Sequence, residues 1–361
     1  MSGSCHGLPR GDVPWETVRT MSVPEPRANP MLLGHEQAEA MLAEAMRSAR
    51  MHHAWLITGA EGIGKATLAF RFARRLLAGS PAGASLALDP ESLVFRRVAA
   101  GAHADLHTLA RAWDDKRKRQ RTEIVIDDVR KVTDFLRLTP AEGGWRVVVV
   151  DGAEALNRNA ANALLKVLEE PPARAMLVLT CAAPGRLPPT IRSRCRRLRL
   201  SPLADAAMEV LLADYLPDVQ ADQRARLVTL AEGSPGRALL LAAEEGLALS
   251  ELVDQVLAAL PVLPAVRAHA LADAVARGEG SFSTFMDLLR AAISAAVRDV
   301  LHGRADAEQE RLVSLLSLEA WSETWHALTR LQDETERFSL DKRQAVIAGL
   351  GLLRPSQNGL S

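Results

Sequence analysis

The segment Gly59-Ala60-Glu61-Gly62-Ile63-Gly64-Lys65 constrains this chain more than any other. It follows the apolar run Ala54-Trp55-Leu56-Ile57 and precedes a helical pattern over Ala66 to Leu77, with Leu68, Phe72, Arg75 and Leu76 at helix-compatible offsets. Strand, glycine turn and helix in that order open a βαβ unit. The glycines at the two ends of the turn let backbone N–H groups close around phosphate oxygens, and the lysine adds positive charge. A glycine turn with an incidental lysine is the competing reading, and the strand-to-helix context weighs against it. Gly59, Gly62, Gly64, Lys65, Ala66 and Thr67 are therefore the candidate nucleotide-contacting residues.

Two helpers of phosphoryl chemistry are missing from this setting. Ala66 stands where a Ser or Thr hydroxyl holds Mg²⁺ in hydrolysing P-loop proteins. Thr67 follows one residue later, about 100° further round the helix, and points elsewhere. Asp151 ends the run Arg146-Val147-Val148-Val149-Val150 and is a candidate metal-side carboxylate, with a turn-forming aspartate as the alternative. Gly152 follows it where an acid would orient the attacking water, and Glu154 is too far along for a simple replacement.

Four consecutive valines signify a strand buried on both faces. Further apolar strands at 54–57 and 175–181 alternate with helices expected over 33–50, after a cap at Asp127 or Asp128, and from Asn157 to Glu169 before Pro171-Pro172. Residues 78–121 read as a loop-and-strand insertion. The whole predicts a doubly wound α/β domain with a parallel sheet over 31–202. Beyond Pro202 the β-branched runs cease and Ala and Leu dominate, so 203–246 is expected to form a small helical lid and 247–361 an all-α domain, with Phe285, Leu288, Leu289, Ala292 and Ile293 on one face. Residues 1–30, punctuated by Pro9, Pro14, Pro24, Pro26 and Pro30, read as a flexible tail, and Met21 is an alternative start.

Lys plus Arg and Asp plus Glu both number 44, so any contact with nucleic acid must be local rather than a whole-molecule attraction. Three scattered cysteines, with no Cys-x-x-Cys pair, argue for a reducing compartment and against both disulfides and a cysteine zinc site. No stretch approaches the roughly 18 apolar residues of a membrane span, so a cytoplasmic protein without a membrane partner is expected. The histidines show no metal-ligand spacing, and the adjacent pair His52-His53 is expected to point apart. The basic run Lys116 to Arg121 reads as a solvated loop or a phosphate-backbone contact.

Thr190-Ile191-Arg192-Ser193-Arg194-Cys195-Arg196-Arg197 admits two readings, a solvated basic rim and an arginine supplied in trans to a neighbour's nucleotide. Within it Cys195 is either a reactive thiol or, by the stronger expectation, a buried structural one.

Leu33-Gly34-His35-Glu36 with His52-His53-Ala54-Trp55-Leu56, Gly59 to Thr67, Asn162-Ala163-Leu164-Leu165-Lys166-Val167-Leu168-Glu169-Glu170-Pro171-Pro172, and Ile191-Arg192-Ser193-Arg194-Cys195 together resemble the bacterial clamp-loader branch of the AAA+ proteins, most closely its delta-prime type. The resemblance covers about 31–240. It implies an AAA+ P-loop domain, a helical lid, and a C-terminal collar that joins subunits. It also implies partnership with gamma/tau and delta subunits and, through the complex, with the sliding clamp and primed DNA. Arg194 would be the finger reaching a neighbour's ATP, and Arg237, in Gly233 to Arg237, the lid's sensor arginine. The first-sensor position falls near Thr180 and Cys181, where the polar residue of active relatives is expected to be replaced. ATP or ADP is the ligand such a loop admits, with Mg²⁺ only alongside the nucleotide. Many relatives carry a four-cysteine zinc module after the first P-loop helix, but here no cysteine lies between Cys5 and Cys181, and no zinc is expected. A hydrolysing gamma/tau-like motor and a nucleotide-binding scaffold outside replication are the alternatives. Polymerase chemistry would belong to the assembly, since no carboxylate set for nucleotide addition is present.

Overall fold

The computed structural model describes residues 23–48, 51–79, 85–114, 119–142, 144–243, 245–278 and 280–354. The chain divides into two compact units, Met1–Leu239 and Leu240–Ser361. The first is built on five parallel strands, β1 (Ala54–Thr58), β2 (Leu106–Leu109), β3 (Arg146–Val150), β4 (Ala175–Cys181) and β5 (Arg196–Arg199), in the order β2-β3-β4-β1-β5. Its helices are α1 (Glu36–Arg47), α2 (Lys65–Leu77), α3 (Leu93–Ala99), α4 (Ile126–Arg137), α5 (Arg158–Glu169) and the short α6 (Pro189–Arg194), followed by α7 (Asp205–Tyr215), α8 (Ala221–Ala231) and the start of α9 (Pro235–Ala243).

Apolar runs become strands here because both sheet faces are covered. Alternate residues Ala54, Leu56, Val148, Val150, Leu177 and Leu179 enter one cluster with Val129, Val132 and Leu136 of α4 and Leu164 and Leu168 of α5. Their neighbours point to the other face, where the Trp55 ring meets Phe72 of α2 at 6.3 Å. The region 78–121 is no mere insertion, for it supplies α3 and the edge strand β2, followed by a two-residue hairpin pairing Trp113–Asp114 with Arg119–Gln120. The opposite edge strand, β5, is Arg-Arg-Leu-Arg, with only Leu198 buried. Charged side chains on an edge strand discourage further pairing.

Helix ends differ from expectation in one place. Val125 occupies the N-cap of α4 and makes no side-chain cap bond, while Asp127 and Asp128 lie inside the first turn and pair with Arg130 and Lys131 at 2.7 and 3.4 Å. Acids in that turn favour the positive end of the helix dipole without capping it. Asn157 does cap α5, its side chain accepting from Ala160 N at 2.9 Å.

Residues 27–30, expected to belong to a flexible tail, are bound to the α/β unit. Arg74, 1% exposed, donates to Arg27 O at 3.0 Å and Asn29 O at 2.8 Å and stacks over Phe95 at 4.2 Å. Burial first, and then the Arg71 charge, push its pKa down to about 10. Arg71 bonds to Pro30 O at 2.6 Å and to buried Glu39 at 2.8 Å, and Asn29 Nδ2 donates to Tyr215 Oη at 2.8 Å. Residues 27–30 are thus tied to the α/β unit by buried guanidinium groups, whose hydrogen bonds offset their desolvation. Residues 1–22, Met21 among them, lie outside the described residues.

The second unit is helical: α10 (Gly246–Ala259), α11 (Ala265–Ala276), α12 (Ser281–Leu301), α13 (Ala307–Ser314), α14 (Leu318–Phe338) and α15 (Lys342–Leu352). The expected apolar face of α12 is inward, with Phe285, Leu288, Leu289 and Ile293 buried and Ala292 half-buried, and α12 packs against α10, α13 and α14. Among the described residues no helix is long and apolar enough to cross a membrane.

Replacing Asn157 with Ala should lower the stability of the α/β unit by about 1 kcal/mol, because Ala160 N loses its cap. Urea unfolding checks this, and an unchanged midpoint would argue against the cap.

Candidate functional site

Parallel pairing aligns the C-terminal ends of neighbouring strands, and ligands of open α/β sheets bind at that edge. The glycine loop leaves β1, Asp151 leaves β3, and Thr180 and Cys181 end β4. Gly62 and Gly64 take φ of +72° and +105°, values that L side chains rarely adopt, so the loop's curl requires glycine at both. Lys65 opens α2, and its ammonium donates to Gly59 O at 3.0 Å and Ala60 O at 2.7 Å. Burial lowers its pKa, while the nearby carboxylates of Glu154, Glu61 and Asp151 pull it back up. Beneath the loop, buried His35 places Nε2 2.7 Å from Ile63 O and donates there in the Nε2–H tautomer.

The acidic side of the site is tied to the protein itself. Thr180 Oγ1 donates to Asp151 Oδ1 at 2.6 Å and accepts from Gly152 N at 3.0 Å. The Thr180 hydroxyl is thus committed to Asp151 and the backbone beside it. Glu154 sits in a 3₁₀ turn, Ala153–Ala155, and accepts from Ala182 N at 3.0 Å. Counted along the chain it is two residues past the vacant acid position. The turn folds it back beside β4, where it is the carboxylate that most affects Lys65. The Cys181 thiol is pushed up to about 12, by burial and then by Glu154.

The start of α9 packs on the apex of the loop. Ser234 Oγ donates to Glu61 O at 2.7 Å and Gly236 N to Gly62 O at 2.9 Å. A Cβ on Gly62 would lie 2.7 Å from Ser234 Oγ and 2.9 Å from Arg237 N, so glycine is required here for close approach as well as for φ. Arg237 therefore reaches the loop with its backbone, while its guanidinium pairs with Glu232 at 3.5 Å. Left-handed glycines and a half-buried lysine fit a phosphate group, and the alkyl side chain of Ala66 does not fit Mg²⁺ held in the hydrolytic manner.

Arg194 belongs to a separate place. Ile191 and Cys195 anchor α6 in the cluster that holds Leu164 and Leu168 of α5. The partly exposed Arg194 guanidinium bonds to Glu169 Oε1 at 2.7 Å and Thr190 O at 3.2 Å. The basic segment splits accordingly: Arg196, Arg197 and Arg199 form the charged rim of β5, and Arg194 ends a helix. Burial pushes the Cys195 thiol up to about 12 against the opposite pull of Arg197, which removes the reactive-thiol reading. His52 and His53 do not point apart; they precede β1 in irregular backbone, and their rings stack at 4.7 Å. Of the basic run 116–121, residues 116–118 lie outside the described residues.

A parallel sheet in this order, with a glycine loop between β1 and α2, gives an open α/β fold of the P-loop kind. Residues 34–204 match the family model described as DNA polymerase III, delta subunit. The chain is 39% identical over 198 residues to the DNA polymerase III subunit delta' of Pseudomonas aeruginosa, covering 55% of this chain and 58% of that protein. It is 35% identical over 217 residues to the delta' subunit of Escherichia coli, covering 60% and 62%. The Salmonella typhimurium subunit tau is 32% identical over 174 residues, covering 48% of this chain and 25% of that one. The chain therefore spans about three fifths of the delta' relatives' length, and the family model lies over its α/β part.

With pKa values of about 12, Cys181 and Cys195 hold a thiolate fraction on the order of 10⁻⁴ near pH ~8. Iodoacetamide should label neither in the native protein and both in urea, as read by peptide mass mapping. Native labelling at the rate of a free cysteine would contradict the burial.

Proposed function

We propose that the chain is a delta-prime-type subunit of a DNA polymerase III clamp loader that does not hydrolyse ATP itself and supplies Arg194 to the nucleotide of a neighbouring gamma/tau motor subunit. One observation carries this reading: a well-formed phosphate loop lacks both the hydroxyl at Ala66 and the acid at Gly152, while Ser193-Arg194-Cys195 presents a partly exposed guanidinium. Phosphoryl transfer is catalysed by positioning and by charge placed around the γ-phosphate. A chain missing two of its own groups can still supply the third to another active site.

The loop's own ligand, on this reading, is the phosphate chain of ATP or ADP. Gly62 and Gly64 shape the cradle, Lys65 exchanges its carbonyl partners for phosphate oxygens, and Asp151 and Arg237 border it. Mg²⁺ would enter only with the nucleotide. Gamma/tau and delta subunits are the direct partners, and the sliding clamp and primed DNA are reached through the complex in the cytoplasm. The helices of 247–361 serve as the collar.

Arg194→Ala should leave the isolated chain folded and slow hydrolysis at the abutting motor site by about 10³-fold or more, lowering the rate of a reconstituted loader by that site's share. Steady-state ATPase with clamp and primed DNA reads the effect. An unchanged rate would remove Arg194 from the finger role.

A further inference from the structure

The guanidinium of Arg194 is not free in solvent. Its Nη2 lies 2.7 Å from Glu169 Oε1, and Nη1 donates to Thr190 O at 3.2 Å. We infer that Glu169 is the positioning residue of Arg194, holding the guanidinium in the direction from which it meets a neighbour's phosphate; this rests on the finger reading above.

Three features fix Glu169 for that task. It is the last residue of α5, and Pro171-Pro172 end the helix just beyond it, so its backbone place is set by the helix. The same helix end carries the negative pole of the dipole, which adds to the carboxylate's pull on a cation. Leu168 beside it shares the buried cluster with Ile191 and Cys195, the two residues that flank the finger segment, so α5 and α6 cannot drift apart without opening the core. The pair is therefore built into the packing, not a chance meeting of two long side chains.

Its exposure decides what the pair can do. Arg194 and Glu169 are 37% and 47% exposed, and an ion pair so open to water adds little stability. It can therefore orient without trapping. A free arginine spreads over many rotamers, and only a small share would point at a phosphate across a subunit interface. Glu169 and Thr190 O occupy two N–H directions of the fork and leave others for the phosphate, since a guanidinium carries five donors. Orientation of this kind acts on the chemical step and not on nucleotide affinity.

The test uses the reconstituted loader with clamp, primed DNA and ATP, comparing wild type with Arg194→Ala, Glu169→Ala, Glu169→Gln and the double alanine variant. Glu169→Ala should lower kcat at the abutting site by roughly 3- to 10-fold with KM for ATP unchanged. Glu169→Gln, whose amide oxygen still accepts from the guanidinium, should recover most of the loss. In the Arg194→Ala background, Glu169→Ala should add nothing. Thermal unfolding of each single variant checks that the fold is kept. If Arg194→Ala slows the loader and Glu169→Ala does not, the positioning role is overturned and the finger stands. A further loss in the double variant would likewise overturn it, because Glu169 would then act by another route. If Arg194→Ala has no effect, the finger reading fails and takes this inference with it.

Discussion

Parallel pairing of β1 between β4 and β5 is the constraint on which the rest of the first unit depends. With the parallel pairing of β3 on β4, it puts the chain leaving β1 at the same end of the sheet as the ends of β3 and β4, so that a glycine loop, an aspartate and a threonine far apart in sequence share one edge. That placement requires both faces of the sheet to be covered, which α2 achieves on one side and α4 with α5 on the other. The same apolar cluster fixes the far end of α5 against α6 and so brings Glu169 to Arg194. The two places where chemistry is proposed are consequences of one packed core.

The loop's neighbours bond to groups of the protein, although Glu154 Oε2 is buried without a hydrogen-bond partner. Lys65 rests on two carbonyl oxygens, Asp151 on the Thr180 hydroxyl, Glu154 on a backbone N–H, and Gly62 against Gly236. Hydrogen bonds of this kind offset part of the cost of burial and help hold the arrangement without a ligand. A phosphate entering the cradle must replace the carbonyl partners of Lys65, and it finds no hydroxyl at Ala66 to share a metal.

Much of this was legible in the sequence wherever one residue type is forced by local physics. The glycines between strand and helix signal a phosphate-type turn, four valines signal a strand buried on both faces, and the stretch from Asn157 to Glu169 before Pro171-Pro172 signals a helix. Edge strands were harder to see. β2 has four residues with a histidine among them and β5 is mostly arginine, because an edge strand needs neither long apolar runs nor two buried faces. Arg74 and Arg71 were not singled out in the sequence, yet they are buried, and they bond to a segment whose prolines suggested a loose tail. No local pattern announces a guanidinium that caps carbonyl oxygens 45 residues away. The partners of Asp151 and Arg194 were hidden for the same reason, since Thr180 and Glu169 reach them only through the tertiary fold. Glu154 was dismissed by counting along the chain, whereas a 3₁₀ turn carries it back towards Lys65.

The central claim is that a complete-looking phosphate loop without the Ala66 hydroxyl and the Gly152 acid holds no hydrolytic power of its own. Single-turnover hydrolysis of γ-labelled ATP by the purified chain, with Mg²⁺ and with or without primed DNA, tests it most directly. The account predicts phosphate release no faster than in a protein-free blank. Release at the rate of the motor subunits, abolished by Lys65→Ala, would contradict it.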